Sequence, residues 1–161
     1  MIKENNTNLE GFEIIAEKKQ ELEKKDFFQM LLGAEEGLEL TIDKVSDVFK
    51  SKYNKGCGCF IDYSFTIFEE AYEIGIYYNL GVPKTADIDD NGNPIYKFRL
   101  TENMNIFRIL GIAVDLDSAT EIAVTEEFLK INLTGIKFKA VAETSYNGSF
   151  LIEPVELIKE T

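Results

Sequence analysis

The order of strand-like and helix-like segments after residue 38 is the feature that most constrains how this chain folds. Apolar and polar residues alternate in the first three strand-like segments, as expected of strands with one buried face. A helix-like segment at 101–111, which Thr101 can cap and Gly111 can end, separates them from two further strands. Asn147-Gly148 between these last two is typical of a type I′ hairpin turn. The five strand-like segments are 38–43, 59–68, 72–80, 136–143 and 149–158.

Strand, loop, strand, strand, helix, strand, strand is the order of the five-stranded OB barrel, a partly open Greek-key barrel. We therefore predict a mainly β, α+β fold: a five-stranded OB-like Greek-key barrel with a helix between strands 3 and 4. Near-helical spacing of apolar residues also predicts an N-terminal helix over 11–32. The predicted divisions are a polar segment and helix, 1–35, and a barrel, 36–161. Pro154 predicts an edge or a bulge in the last strand because it has no amide hydrogen.

The chain is strongly acidic, but its charge is unevenly distributed. Its formal net charge is -12 at pH 7, whereas phosphate binding normally depends on clustered lysine and arginine. Residues 48–61 nevertheless contain lysines and no acid, as do residues 128–142, while 69–93 is mainly acidic. A basic face and an acidic face can therefore coexist. The lysines are Lys50, Lys52 and Lys55 in the first segment and Lys130, Lys137 and Lys139 in the second.

The absence of histidine limits the chemistry of the chain. It removes the commonest general base and every Ser-His or Cys-His pair, so we predict no enzymatic activity, no catalytic residue and no cofactor. The two cysteines, Cys57 and Cys59, are poorly placed to pair with each other because they point the same way on a strand. They could supply half of a zinc site, but we favour two small buried thiols.

The sequence also bears on where the protein is found. No segment approaches the roughly 18 apolar residues that indicate a membrane span. The first seven residues lack the apolar stretch of a signal peptide. We therefore predict a cytoplasmic protein.

One acidic segment resembles part of a calcium site. Asp87-Ile88-Asp89-Asp90-Asn91-Gly92 matches the opening of an EF-hand loop, with oxygen ligands at positions one, three and five. The twelfth position, where a bidentate glutamate belongs, is Phe98. No flanking pair of helices is indicated. We therefore predict a tight acidic hairpin turn here and no metal site.

A barrel of this kind would bring lysines and aromatic residues together, which is how proteins hold single-stranded nucleic acid. A basic groove tracks the phosphates, and each base that stacks on an aromatic ring contributes about 1–3 kcal/mol. The alternative is that the lysines only solubilise loops and that the aromatic residues pack under the N-terminal helix. The candidates are Lys50, Lys52, Tyr53 and Lys55 in the first loop (residues 50–55, the lysine loop), Phe60 and Tyr77 on the sheet face, and Lys137, Lys139 and Tyr146 at the last hairpin.

Two stretches of the chain carry a family resemblance. The first covers residues 36–63 and includes the lysine loop. The second begins at Phe107-Arg108-Ile109-Leu110-Gly111-Ile112, continues through residues 133–137 and ends at Asn147-Gly148. They resemble a family of small acidic proteins from the replication modules of tailed phages, thought to be OB-fold single-strand-binding proteins. The resemblance implies a phage or prophage origin, a role in DNA replication or recombination, and self-association. It also implies phage or host replication and recombination proteins as partners, but no mapped binding residues.

Three interpretations follow. The first is a non-enzymatic protein that binds single-stranded DNA through lysine–phosphate contacts and aromatic stacking. The alternative is an acidic interaction protein that presents carboxylates where a partner expects phosphates. It would thereby inhibit a host nucleic-acid-binding or defence enzyme. A third interpretation is a barrel that serves only as an oligomerisation scaffold.

Overall fold

The computed structural model describes residues 11, 18–52, 55–145 and 147–159. In these parts of the chain there are ten strands and three helices. The strands are β1 (Gln20–Glu21), β2 (Leu38–Val45), β3 (Phe49–Lys50), β4 (Cys57–Ile67), β5 (Glu70–Gly81), β6 (Lys84–Ile88), β7 (Pro94–Thr101), β8 (Glu121–Val124), β9 (Lys137–Thr144) and β10 (Phe150–Leu157). The helices are α1 (Lys24–Gly33), α2 (Asn105–Ala113) and α3 (Glu126–Leu133). None of the described helices is long and apolar enough to cross a membrane.

The larger sheet contains the five predicted strands, side by side in the order β5-β4-β2-β9-β10 and paired antiparallel. Numbered as predicted, this is the order 3-2-1-4-5. β1 adds to the outside of β5 in parallel, and β3 pairs with β4. The larger sheet is not closed into a barrel, since β5 and β10 are not paired with each other in the described chain. The mainly β, α+β class is confirmed, with more strands described than the five predicted.

A smaller sheet is formed by β6, β7 and β8. The turn between β6 and β7 is held by Asp89, whose carbonyl accepts from the Gly92 N–H at 3.0 Å. The Asp89 carboxylate accepts from the backbone N–H groups of Asn91 and Asn93, each at 2.9 Å. The predicted acidic hairpin turn is therefore confirmed. Phe98 on β7 is buried and joins this sheet to the common core.

The N-terminal segment differs from the helix predicted over 11–32. Residues 12–17 lie outside the described part of the chain, and α1 begins only at Lys24. Before it, β1 pairs with β5, and the Leu22 N–H donates to the Glu73 carbonyl at 3.1 Å. The edge of β5 thus holds this segment in an extended form, because backbone groups at a sheet edge bind another chain segment readily.

Two local predictions are wrong in detail. Thr101 is the last residue of β7 and Met104 precedes α2, which continues through Gly111 instead of ending there. A type I′ turn at Asn147-Gly148 would need a positive φ at both residues. Of the two, only Gly148 has one, with φ 86°. The hairpin between β9 and β10 does form, but around a different turn.

Two of the helices pack near the open side of the larger sheet: α2 contacts β10 and β5, and α1 contacts β9 and β5, whereas α3 contacts β2. Phe28 of α1 stacks on Phe150 of β10, with ring centroids 5.9 Å apart. In α2, the Asn105 side-chain amide donates to the carbonyl of Ile152 in β10 at 3.3 Å. α1 therefore shares one core with the sheet, and the division of the chain at residue 35 stays a prediction.

The last strand lies at an edge of the sheet, as Pro154 predicts. Among the described residues β10 pairs with β9 alone, and its register shifts between Pro154 and Glu156. The prediction of an edge or a bulge is confirmed in both respects. A proline and a bulge also make an edge less able to pair with another strand.

Candidate nucleic-acid interface

Three aromatic side chains from neighbouring strands meet on the outer face of the larger sheet: Phe49 of β3, Phe60 of β4 and Tyr77 of β5. Phe49 and Phe60 are stacked with their centroids 5.6 Å apart, and Tyr77 lies 5.8 Å from Phe60 and 6.0 Å from Phe49. Each keeps about two fifths of its surface exposed, at 39%, 41% and 40% respectively. We call this cluster the aromatic platform.

Strand register explains why these residues meet. Phe60 lies directly opposite Tyr77 in the β4–β5 pair, and Phe49 lies opposite Gly58 in the β3–β4 pair. Since side chains alternate along a strand, Cys59 points into the core and Phe60 points outward. Gly58 leaves room for the neighbouring ring, because a Cβ at this position would lie 2.3 Å from the Tyr77 Cε1 atom.

In the described part of the N-terminal segment, the helix α1 does not cover the platform, although one alternative places Phe60 and Tyr77 beneath an N-terminal helix. α1 lies against the opposite face of the sheet. There Phe27 packs at 5.6 Å from Phe65, a core residue of β4. Within the described chain, both Phe60 and Tyr77 remain exposed.

The lysine loop follows directly after Phe49. Lys50 ends β3, opposite Cys57, while Lys52 and Lys55 are exposed in the loop that leads into β4. Tyr53, the fourth candidate in this loop, lies outside the described residues. The described lysines of the loop are thus neighbours of the platform in sequence and share its end of the sheet.

The lysines of β9 are not brought to the platform. Lys137 and Lys139 lie opposite Thr41 and Glu39 of β2, and the Lys139 ammonium is 3.5 Å from a carboxylate oxygen of Glu156. Thr41 in turn pairs with Ser64 of β4. Ser64 is four residues from Phe60, which is about 13 Å along that strand. The remaining candidate at this hairpin, Tyr146, lies outside the described residues.

Carboxylates occupy the outer face between these lysines and the platform. Asp62 of β4 is two residues from Phe60 on the same face, and Asp43 of β2 lies near Ser64. Asp43 accepts a hydrogen bond from the Ser64 hydroxyl at 2.9 Å and pairs with Lys19 at 3.2 Å. A polyanion on the platform would be repelled in this direction and attracted towards the lysine loop.

A groove of 680 Å³ separates the platform end of the larger sheet from the smaller sheet. Phe49 and Lys50 line one side, and Pro83 and Tyr96 line the other. Sequence reasoning missed both Phe49 and Tyr96. β3 has only two residues and therefore shows no alternation, although an aromatic residue immediately before a basic loop was a usable signal.

The two cysteines differ in burial. Cys59 is fully buried, and burial, together with the nearby Glu126 carboxylate, raises the pKa of its thiol to about 12. Cys57 is half-buried and lines the groove. The high pKa keeps Cys59 protonated and unreactive at neutral pH, since the thiolate is the nucleophile and the metal ligand. Among the described residues, no three histidine, cysteine or acidic side chains are grouped closely enough to hold a metal ion.

Comparison of the chain with protein-family models, with curated proteins and with solved structures found no match.

Proposed function

We propose that this chain is a non-enzymatic protein that binds single-stranded DNA. The observation that carries the proposal is the aromatic platform, three exposed rings from adjacent strands beside a loop of lysines. A folded protein gains by burying such rings, so three left together on the surface are suited to stack on something planar. Successive bases of a single strand offer that surface, whereas the bases of a duplex are already stacked and paired.

The proposal includes the fold: an OB-like barrel left open between β5 and β10. The strand order 3-2-1-4-5, with a helix after the third strand, supports it. In OB folds, oligonucleotides bind the face of strands 2 and 3 and the loop between strands 1 and 2. The corresponding parts of this chain are β4, β5 and the lysine loop. Together with the resemblance described above, this suggests a replication or recombination module of a phage or prophage.

The direct test is a fluorescence-anisotropy titration of an oligo-dT strand at low and at physiological salt, with duplex DNA as competitor. We expect salt-sensitive binding that duplex does not displace. Phe60→Ala should weaken binding about 5- to 150-fold, because a lost stacked base costs about 1–3 kcal/mol. The matched control is Phe68→Ala, which removes a 95% exposed ring at the far end of β4.

Two results would contradict the proposal. One is absence of binding to oligo-dT at low salt. The other is an equal loss of affinity in the Phe60→Ala and Phe68→Ala variants. The second result would mean that exposed aromatic surface of any kind, and not the platform, produces the binding.

A second candidate function is supported by a different observation. The outer face carries Asp43, Asp62 and Glu73 on adjacent strands, in a chain of net charge -12. Such a surface suits an acidic protein that mimics nucleic acid and occupies the groove of a basic enzyme. Recovery of a nucleic-acid enzyme from host lysate, insensitive to nuclease and lost on Asp62→Lys, would favour it over DNA binding.

A further inference from the structure

The groove between the two sheets has the size and the lining of a site for a small planar group. Its volume of 680 Å³ lies within the range of about 300–1,000 Å³ that is usual for small-molecule sites. Most of the lining is apolar, and it includes the rings of Phe49 and Tyr96, which are 39% and 46% exposed. Because Phe49 is also a ring of the platform, the groove is continuous with the proposed binding surface.

Alternation along β7 keeps the cations of the smaller sheet away from this groove. Tyr96 and Phe98 lie on one face of the strand and line the groove, so Lys97 and Arg99 lie on the other face. Among the described lining residues, Lys50 is the one cation, against three acids. The groove therefore disfavours a phosphate, which is held better by the exposed lysines of the lysine loop.

The three carboxylates of the lining can accept further hydrogen bonds. One oxygen of Glu126 accepts from the backbone N–H of Val48, and one oxygen of Asp89 accepts from the two turn amides described above. These bonds fix both side chains and leave the second oxygen of each without a hydrogen bond in the described chain. The exposed Glu127 carboxylate has no ion-pair partner among the described residues. The groove thus suits a neutral planar group that carries N–H donors.

Guanine is the DNA base whose polar groups match this lining best. Its N1–H and 2-amino group are adjacent donors, which one carboxylate can accept together. Its O6 and N7 atoms are acceptors that suit a lysine, and Lys50 lines the groove. Thymine has a single ring N–H between two carbonyl oxygens, and these oxygens would be repelled by the carboxylates. The lining therefore favours guanine over thymine.

We propose that the groove takes up one guanine of a single DNA strand held on the platform. Glu127 accepts hydrogen bonds from the guanine N1–H and 2-amino group, and Tyr96 packs against the ring. Proteins read an unstacked base in this way, through its Watson–Crick edge and through contact with aromatic rings. The inference rests on the proposed function and makes binding selective at one position, whereas stacking on the platform tolerates any base.

The test is a comparison of strands that differ in one base. Each is an oligo-dT of about 12 nucleotides, within the site size of an OB fold, whose central thymine is kept or replaced by guanine, adenine, cytosine or hypoxanthine. We expect the guanine strand to bind at least about 5-fold more tightly than oligo-dT, as one bidentate base contact provides. Adenine, cytosine and hypoxanthine should give less, because none of them presents both donors.

Glu127→Gln tests the assigned carboxylate, and Glu102→Gln is the matched control. Glu102 is also exposed but does not line the groove. The readout is the ratio of the Kd values for oligo-dT and for the guanine strand. A change in net charge affects both strands alike, so this ratio isolates recognition of the base. We expect Glu127→Gln to bring the ratio close to one and Glu102→Gln to leave it at the wild-type value. Melting temperatures check that both variants are folded.

The outcomes separate the inference from the proposed function. Wild type that binds no strand contradicts both. Wild type that binds oligo-dT and the guanine strand equally well overturns the inference alone. An equal gain with adenine or cytosine also overturns it, as does a guanine preference that persists in Glu127→Gln or is lost in Glu102→Gln.

A second readout reports where the guanine lies. Cys57 lines the groove, whereas Cys59 is buried in the core. At saturation, the guanine strand should slow the alkylation of Cys57 more than oligo-dT of the same length does. Equal alkylation rates with the two strands would overturn the placement of the guanine in the groove.

Discussion

Gly58 determines whether the rings of the platform can lie where they do. A Cβ there would be 2.3 Å from Tyr77 Cε1 and 2.4 Å from its hydroxyl oxygen. Because the clash is with the far end of a side chain, Gly58→Ala should displace the Tyr77 ring without unfolding β4. We expect oligo-dT affinity to fall about 5- to 150-fold, the range for one lost stacked base.

The control for this substitution is Gly33→Ala, since an added Cβ at Gly33 meets no atom within 4 Å. It should leave oligo-dT affinity unchanged. Circular dichroism and thermal melting should show both variants folded. Wild-type affinity in Gly58→Ala would mean that the position of Tyr77 does not matter for binding.

Two buried tyrosines make a pH prediction possible. The hydroxyls of Tyr63 and Tyr78 are 2.6 Å apart, and burial is the main cause that raises the pKa of both above 10. The folded state therefore keeps both phenols neutral while the unfolded state ionises them near pH 10. The resulting stability is fully present below pH 10 and is lost as the pH rises above it.

We expect phenolate absorbance from this pair to appear only together with loss of circular dichroism in an alkaline titration. At neutral pH, Tyr63→Phe or Tyr78→Phe alone should cost about 1–3 kcal/mol, because the remaining buried hydroxyl loses its partner. The double variant should cost less than the sum of the two. Additive costs in urea unfolding would show that the hydroxyls do not depend on each other.

At the scale of elements, alternation predicts the long strands and fails for the short ones. The segments at 38–43, 59–68 and 72–80 correspond to β2, β4 and β5. β1 and β3 have two residues each and no period to detect, and each forms only because β5 or β4 offers a partner. Two of the three rings of the platform were therefore predicted from the sequence. The position of Phe49 was not, because it depends on the β3–β4 pairing, which the sequence does not encode locally.

The turn between β4 and β5 uses residues that disfavour its geometry. Phe68 and Glu69 have φ 49° and 71°, positions where a two-residue hairpin prefers Asn-Gly. Each non-glycine residue in this left-handed region costs about 1–2 kcal/mol. Phe68→Asn/Glu69→Gly should raise the free energy of unfolding in urea by about 0.5–2 kcal/mol.

The control is Phe68→Ala/Glu69→Ala, which removes the same exposed ring but keeps β-carbon-bearing residues in the left-handed region. It should give no comparable gain. Equal stabilisation of the two variants would assign the effect to removal of the Phe68 ring, and the backbone explanation would be wrong.

For the whole molecule, the distribution of charge matters more than its sum. The net charge of -12 repels a polyanion at long range. Lysines are nevertheless brought together locally, as in the lysine loop beside the platform and in the smaller sheet, where Lys84 lies opposite Lys97. Segregation of charge could be predicted from the sequence. The second lysine pair could not, because Lys84 lies in an acidic segment and gains its neighbour only through the hairpin.

Whether the larger sheet closes is also a property of the whole molecule, since it depends on how β5 and β10 lie relative to each other. β2, β4 and β9 are bonded on both sides, whereas β10 is bonded to β9 alone in the part of the chain that the structure describes. Native-state hydrogen exchange should therefore be slowest in β2, β4 and β9 and clearly faster in the outward amides of β10.

Protein concentration distinguishes the two ways in which β10 could be protected instead. Protection in β10 equal to that in β2, and unchanged on dilution, would mean that β5 and β10 close the barrel in solution. Protection that is lost on dilution would mean that β10 pairs with a second copy of the chain. We expect neither, because Pro154 has no amide to donate and the bulge between Pro154 and Glu156 disrupts the edge.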